Sequence, residues 1–294
     1  MAAANRHCGG LAGVSDQLPI PVLDHGSSAR TRYTPRGRRE VRTIVWRGQR
    51  KLLMSEIGLL LRLERGMRYI VVYAGAAPGI HIPFLSGLFP DVIFHLYDPS
   101  PFRIANSDTI RTFQEFFDDA TAQRYAGRND VVFISDIRLN ITEQFVIADM
   151  LAQQRWHEII KPELTSLKFR LPWPGSGEVD ASNVIEYLDG EIVLPIWGRT
   201  STTESRLVIV KGEHSGKKRY NCLAYEEEMS HFNRVTRPSI HFQPVRNGIL
   251  DGCFDCASEV ALLTQYAESI GNGADTGFVA HLSERISTAL RVGI

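Results

Sequence analysis

The chain has 294 residues, 33 Lys+Arg against 33 Asp+Glu for a net charge of zero, and 4 cysteines. That length suits one large α/β domain with additions or two small ones, and the ordinary apolar and charged content suits a globular fold. No apolar run approaches the ~20 residues of a membrane span, the first residues lack the apolar core of a signal peptide, and Cys8, Cys222, Cys253 and Cys256 are too scattered for a disulfide framework. A reducing, cytoplasmic setting away from membranes is therefore expected. Cys253-Phe-Asp-Cys256 has no second ligand pair near it, so no metal site is expected.

Residues 1 to about 30 are rich in Gly, Ala, Ser and Asp with no sustained period and are expected to be poorly ordered, leaving 31–294 as a single domain. Between Arg30 and Lys51, Arg30, Arg32, Arg36, Arg38, Arg39, Arg42, Arg47, Arg50 and Lys51 face a single acid, Glu40, with Tyr33 and Trp46 interleaved. This pattern suits an arm facing nucleic acid, because phosphate contacts carry most non-specific affinity. From Gln49 to Arg65 the apolar residues Leu52, Leu53, Ile57, Leu60 and Leu61 recur at helical spacing.

Strands and helices then alternate. The run 69–74 breaks into a loop with Gly75 and Gly79, a helix follows Pro78, and the run 92–97 closes on Asp98. This is the first half of a dinucleotide- or nucleoside-binding unit, in which glycines let backbone approach a ligand and an acid takes ribose hydroxyls. The loop lacks both a Gly-Lys-Ser/Thr ending and a full G-x-G-x-x-G, so it suits a ligand without a pyrophosphate; S-adenosylmethionine is the common one. A short strand near 110–113, a helix from about 118, the strand 130–135 and a long helix from about 142 to 160 complete a mainly parallel sheet with helices on both faces. The runs 164–171, 191–195 and 204–210 are expected as antiparallel edge strands, and helices near 222–235, 256–269 and 276–290 close the chain.

The apolar run Val131-Val-Phe-Ile-Ser ends on Asp136, which belongs at the same sheet edge as Gly75 and Asp98. Several segments resemble the poxvirus-type cap-specific mRNA nucleoside-2′-O-methyltransferases, which in the poxvirus protein also serve as the small subunit of poly(A) polymerase, within the wider FtsJ-like ribose methyltransferases. The segments are Gly48-Gln-Arg-Lys-Leu-Leu-Met-Ser-Glu56, Val72 to Ile82, Ile134-Ser-Asp-Ile-Arg138, Ser166-Leu-Lys-Phe-Arg-Leu-Pro-Trp-Pro174, Glu204-Ser-Arg-Leu and Tyr225-Glu-Glu-Glu-Met229. The resemblance implies a Rossmann-like methyltransferase fold and a Lys-Asp-Lys-Glu tetrad on Lys51, Asp136, Lys168 and Glu204, with Lys168 as the base. A lysine acts as a base only where desolvation or a neighbouring cation favours its neutral form, and Lys51 would be that cation.

The same resemblance implies that S-adenosyl-L-methionine meets Tyr73, Gly75, Gly79, Asp98, Asp136 and Arg138, with Phe116 and Phe117 flanking the adenine. It also implies that Tyr33 and Trp173 sandwich the methylated guanine of a cap while Glu226 takes the guanine edge. Two positions depart from the family pattern: Pro99 follows Asp98 where an Arg is expected, and Gly175 stands where a second acid is expected. The expected partners are capped mRNA and a poly(A) polymerase or another viral capping subunit, at a cytoplasmic viral site. Alternative readings are an FtsJ-like enzyme acting on uncapped RNA, a non-catalytic polymerase-stimulating subunit, and a nicotinamide-dependent oxidoreductase.

Overall fold

The central strands are apolar on both sides, which demands a layer of helices on each face of the sheet. The computed structural model describes residues 21–34, 47–138, 140, 142–240, 253–273 and 275–292. The first half of the chain carries β1 (Val22–Leu23), α1 (Arg47–Leu60), β2 (Tyr69–Ala74), α2 (Ile82–Leu88), β3 (Val92–Tyr97), β4 (Ile110–Phe113), α3 (Asp119–Gln123) and β5 (Val131–Ser135). Then come α4 (Glu143–Ile160), β6 (Leu164–Phe169), β7 (Val184–Leu188), β8 (Glu191–Val193), β9 (Ser205–Val210) and β10 (Lys217–Asn221). The chain closes with α5 (Cys222–His231), a single π-helical turn, α6 (Arg237–Ser239), α7 (Phe254–Ser269) and α8 (Thr276–Val292).

Eight strands form one sheet in the order β1-β8-β9-β6-β5-β2-β3-β4. The five from β6 to β4 are mutually parallel, while β9, β8 and β1 are added in turn, each antiparallel to the strand before it. Alternation along β2 shows how the layers are built: Val71 and Tyr73 pack with α1, α2, α7 and α8, whereas Val72 and Ala74 pack with α3, α4 and α5. From β2 the chain winds outward to β3 and β4, then crosses back to β5 and β6. The winding therefore reverses between β2 and β5, and a ligand crevice belongs beyond their carboxyl ends.

Two expectations need correction, and one element was not anticipated. The run from Leu164 forms β6, which lies parallel to β5 rather than antiparallel, because α4 carries the chain back across the sheet between them. Residues 21–30 belong to the fold rather than to a loose tail: Val22 and Leu23 pair with Val193 and Ile192. The polar run Lys217–Asn221 pairs with Val184–Leu188 as a separate two-stranded sheet, an element not anticipated. Residues 1–20, and Arg36, Arg38, Arg39, Arg42 and Trp46 of the basic arm, lie outside the described residues.

Candidate functional site

Lys51, Asp136, Lys168 and Glu204 meet at the carboxyl edge of the sheet, and the topology explains how. Asp136 follows β5, and Lys168 is the second-last residue of the neighbouring β6. Because β9 runs antiparallel to β6, its start lies at the same edge, so Glu204 just before it reaches Lys168. Lys51 comes from the N-terminal half of α1, at the start of its second turn. Lys168 Nζ lies 3.3 Å from Asp136 Oδ1 and 3.6 Å from Glu204 Oε2, and Lys51 Nζ donates to Glu204 Oε1.

A fifth charge, Arg206, was not singled out in the sequence. It pairs across the strands with Lys168, donates to Asp136 Oδ1 at 2.5 Å and to Ser135 O at 3.1 Å, and its side chain is 5% exposed. Burial alone would raise the Asp136 carboxyl, but Arg206 and Lys168 outweigh it and hold the group below the usual carboxylate range. Burial likewise opposes Glu204, and Lys51 and Lys168 likewise prevail, leaving it strongly depressed. Three cations thus face two firmly ionised carboxylates, an arrangement that leaves one ammonium in surplus.

The glycine loop stands beside this cluster. Gly75 adopts φ +81°, and a Cβ there would come within 2.8 Å of Ile137 N, so glycine is required for the exits of β2 and β5 to touch. Gly79 is also left-handed, at φ +72°, against the Ile104 side chain. Asp98 ties the loops together: Oδ2 accepts from Ala77 N at 3.1 Å and Oδ1 from Ser100 N at 2.8 Å. Tyr73 lies in the core and donates to Glu56 Oε1 at 2.8 Å, an oxygen that His81 Nε2 also approaches at 3.0 Å. Burial and the Glu56 charge push its phenol well above the ordinary value.

Arg138 is mostly buried, 3.5 Å from Asp149, and its Nη1 has no hydrogen-bond partner. The two adjacent phenylalanines separate. Phe116 is 65% exposed, whereas Phe117 is a core ring packed against Tyr97, Phe133 and Trp156. Phe117 is therefore withdrawn as an adenine flank, since its ring is committed to the layer beneath α4.

Tyr33 and Trp173, distant in sequence, meet with ring centroids 4.9 Å apart and planes tilted by 43°. Glu143, at the start of α4, accepts from Trp173 N at 2.8 Å and from Arg170 Nη2 at 2.7 Å, and the Arg170 guanidinium lies 4.7 Å from the Trp173 centroid. Glu226 is half-buried nearby. Burial and Glu227 raise its carboxyl, which the Arg170 charge partly counters. Neither Arg170 nor Glu143 was anticipated from the sequence. Gly175 sits in the loop beyond, left-handed and open.

The basic arm is only partly as expected. Arg30 and Arg32 are exposed, but Arg50 is buried and gripped by Glu259 through Nε at 2.7 Å and Nη2 at 2.5 Å, with Ser283 and Ser287 completing its fork. It anchors α1 to α7 and α8 and cannot reach RNA. Cys253 and Cys256 are buried in the core, and among the described residues no group of His, Cys, Asp and Glu could hold a metal. No described helix is long and apolar enough to cross a membrane.

The family model for the poly A polymerase regulatory subunit matches residues 25–259. A relative from Myxoma virus (strain Lausanne), named cap-specific mRNA (nucleoside-2′-O-)-methyltransferase, is 29% identical over 220 residues, covering 66% of this chain and 62% of the relative. A protein of the same name from Fowlpox virus (strain NVSL) is 30% identical over 145 residues, 43% of this chain and 47% of the relative. The chain thus spans less than two thirds of the length of these relatives. Among solved structures it is similar to bluetongue virus VP4, described as a multifunctional RNA-capping production line, with a TM-score of 0.50, 12% identity, and coverage of 74% of this chain and 35% of that one. Likeness at that identity speaks to the fold, a Rossmann-like sheet of the kind expected.

Proposed function

We propose, from the premise that this chain belongs to the poly A polymerase regulatory subunit family, that it transfers a methyl group from S-adenosyl-L-methionine to the ribose 2′-hydroxyl of the first transcribed nucleotide of capped mRNA. The observation that carries the reading is Lys168, 3.3 Å from Asp136 and 3.6 Å from Glu204 at the ligand-binding edge of the sheet, with Lys51 on the second oxygen of Glu204. A 2′-hydroxyl is a weak nucleophile, so the protein must aim it and help remove its proton. Lys168 is the group for that proton, and Asp136 and Glu204 hold its ammonium in place between turnovers.

The residues present suit the cofactor. Each Asp98 oxygen takes a single backbone N–H and keeps acceptor capacity for ribose hydroxyls. Arg138 Nη1 faces Asp149 at 3.5 Å without a hydrogen bond and keeps a donor to offer two residues after Asp136, and the exposed Phe116 ring offers a flat apolar surface for a base. Bound there, S-adenosyl-L-methionine supplies a methyl group already activated by its sulfonium.

Tyr33, Trp173 and Glu226 fit a methylated guanine. A ring inserted between two others needs about 7 Å, twice a van der Waals spacing, so the pair must part from its 4.9 Å contact to admit it. Labelled methyl transfer to capped and uncapped short RNA tests the whole reading: strong labelling of the capped strand supports it, and equal labelling of both rejects cap dependence. Trp173→Ala is expected to weaken binding of capped RNA alone by about 1–3 kcal/mol, the worth of a base–aromatic stack. Titration with both RNAs checks this, and an equal loss on both would demote the ring to a general platform.

The arm before α1 has a separate role in tethering. Neutralising Arg36, Arg38 and Arg39 together is expected to weaken capped and uncapped RNA alike and to flatten the salt dependence, since fewer counterions are released. Titrations at several salt concentrations read both effects, and an unchanged salt slope would remove the arm from the RNA path. The family's description favours a second, compatible role as a subunit bound to a poly(A) polymerase. Polymerase stimulation by a methyl-transfer-dead variant would separate the two.

A further inference from the structure

Residues 24–34 have little secondary structure of their own, yet they follow α5 closely. Thr31 N donates to Glu227 O at 3.1 Å, Thr31 Oγ1 lies 2.9 Å from His231 Nδ1, Ser230 Oγ donates to Arg32 O at 3.3 Å, and Arg234 Nη2 donates to Thr34 O. Glu227, His231 and Arg234 are spaced at i, i+4 and i+7, so one stripe of the helical segment acts as a rail for the strap. Tyr33 is carried on that strap and donates from its hydroxyl to Ser201 O at 3.1 Å.

At the head of the strap sits Glu228, whose side chain is wholly buried. A carboxylate taken out of water is tolerated only where donors surround it. Here the donors come from the strap: His25 Nδ1 at 2.7 Å and Gly26 N at 2.9 Å, with Arg30 Nε 3.5 Å away. Asn221 N–H donates to His25 Nε2 at 3.1 Å, so Nε2 carries the lone pair and Nδ1 the hydrogen that Glu228 receives. Each partner admits one orientation of the other.

We infer that Glu228 is a positioning residue for cap recognition: its buried carboxylate fixes the register of residues 24–34 on α5, the helix that also carries Glu226, and thereby sets Tyr33 against Trp173. The inference rests on the cap-binding reading proposed above and adds to it a device that pre-orders the site. With the strap fixed in register, binding has only to part the Tyr33 and Trp173 rings and not to order the segment that carries Tyr33, which lowers its cost.

Glu228→Gln tests this with almost no change of shape. The new amide can still accept from Gly26 N, but its NH2 then faces His25 Nδ1–H; turning the imidazole to its other tautomer sets Nε2–H against Asn221 N–H instead. One donor pair clashes either way, and the strap loses its fixed register. The expected result is a loss of affinity for capped RNA and a rise in its KM, each on the order of tenfold, with kcat at saturating RNA held and uncapped RNA bound as before. Thr31→Val, which removes the hydroxyl facing His231, is expected to act in the same direction by a smaller factor, and it serves as the test should Glu228→Gln fail to fold.

Unchanged capped-RNA affinity in both variants, while Trp173→Ala still loses it, would overturn the inference and leave the cap reading standing. A uniform fall in kcat, capped binding and uncapped binding would also overturn it, by making Glu228 a general structural group. Were Trp173→Ala itself to weaken both RNAs equally, the cap reading would fall and take the inference with it.

Discussion

Replacing Lys168 with methionine is expected to lower methyl transfer by about 10²–10⁴-fold, the range for losing a positioned acid–base group, while cofactor affinity stays close to that of the parent. The side chain pairs with Asp136 and Glu204, whereas Asp98 binds the backbone of the glycine loop, so removing the Lys168 ammonium is expected to touch the hydroxyl rather than the cofactor. Lys51 already donates to Glu204 and Arg206 to Asp136, so each carboxylate keeps a cation when the Lys168 ammonium is removed. Lys168→Arg is the sharper test. A guanidinium preserves the positive charge and the hydrogen bonds but does not release a proton near neutral pH, and it is expected to fail as well. Single-turnover methyl transfer with capped RNA, alongside cofactor binding, measures both variants. Substantial turnover by the arginine variant would leave Lys168 a role in aiming the hydroxyl and none in deprotonation.

Much of the fold was legible because the buried strands announce themselves as apolar runs ending at a glycine or an acid. Strand direction was not. Nothing in Leu164–Phe169 distinguishes parallel from antiparallel; the long helix α4 before it does, since a strand reached by a crossover helix returns parallel to the one it left. The pair β7–β10 was missed because Lys217-Lys-Arg-Tyr-Asn has only Tyr220 to bury, and its pairing with Val184–Leu188 depends on contacts far apart in sequence. Residues 21–34 escaped for a related reason: their order comes from hydrogen bonds to α5, and their own composition matches that of a loose segment.

Asp98 and Asp136 stood out as acids closing apolar runs, and the meeting of Lys51, Asp136, Lys168 and Glu204 at one sheet edge follows what the family resemblance implied. The site was misread where a side chain's direction decides. Arg50 looked like one more cation of the arm, yet it shares a helical face with Leu53, Met54 and Ile57 at i+3, i+4 and i+7, all buried, and that spacing marked it as inward-facing. Adjacent Phe116 and Phe117 could not be told apart without the backbone path that sends one outward and the other into the core. Arg206 was not singled out, although it stands directly across from Lys168.

That arginine carries the largest expected effect on stability. Arg206→Met keeps the length of the side chain but leaves Asp136 facing Lys168 alone, and breaking a buried pair from one side costs about 3–5 kcal/mol. The loss is expected toward the lower end, because the Asp136 side chain is 18% exposed and keeps Lys168 at 3.3 Å. The sign with pH follows from the depressed Asp136 carboxyl. Its stabilising contribution is present above the ordinary carboxylate range and is lost as pH falls through the lowered native value; without Arg206 that contribution shrinks, so the gap between variant and parent should narrow toward acid. The double variant Arg206→Met/Asp136→Asn is expected to recover part of the loss, since no carboxylate is then left without its closest cation. Denaturant unfolding of the four proteins at neutral and acid pH closes the cycle. A single-variant loss below about 1 kcal/mol, the scale of an exposed ion pair, would mean that water rather than Arg206 supports Asp136. The cluster would then be held together by Lys51 and Lys168 through Glu204 alone.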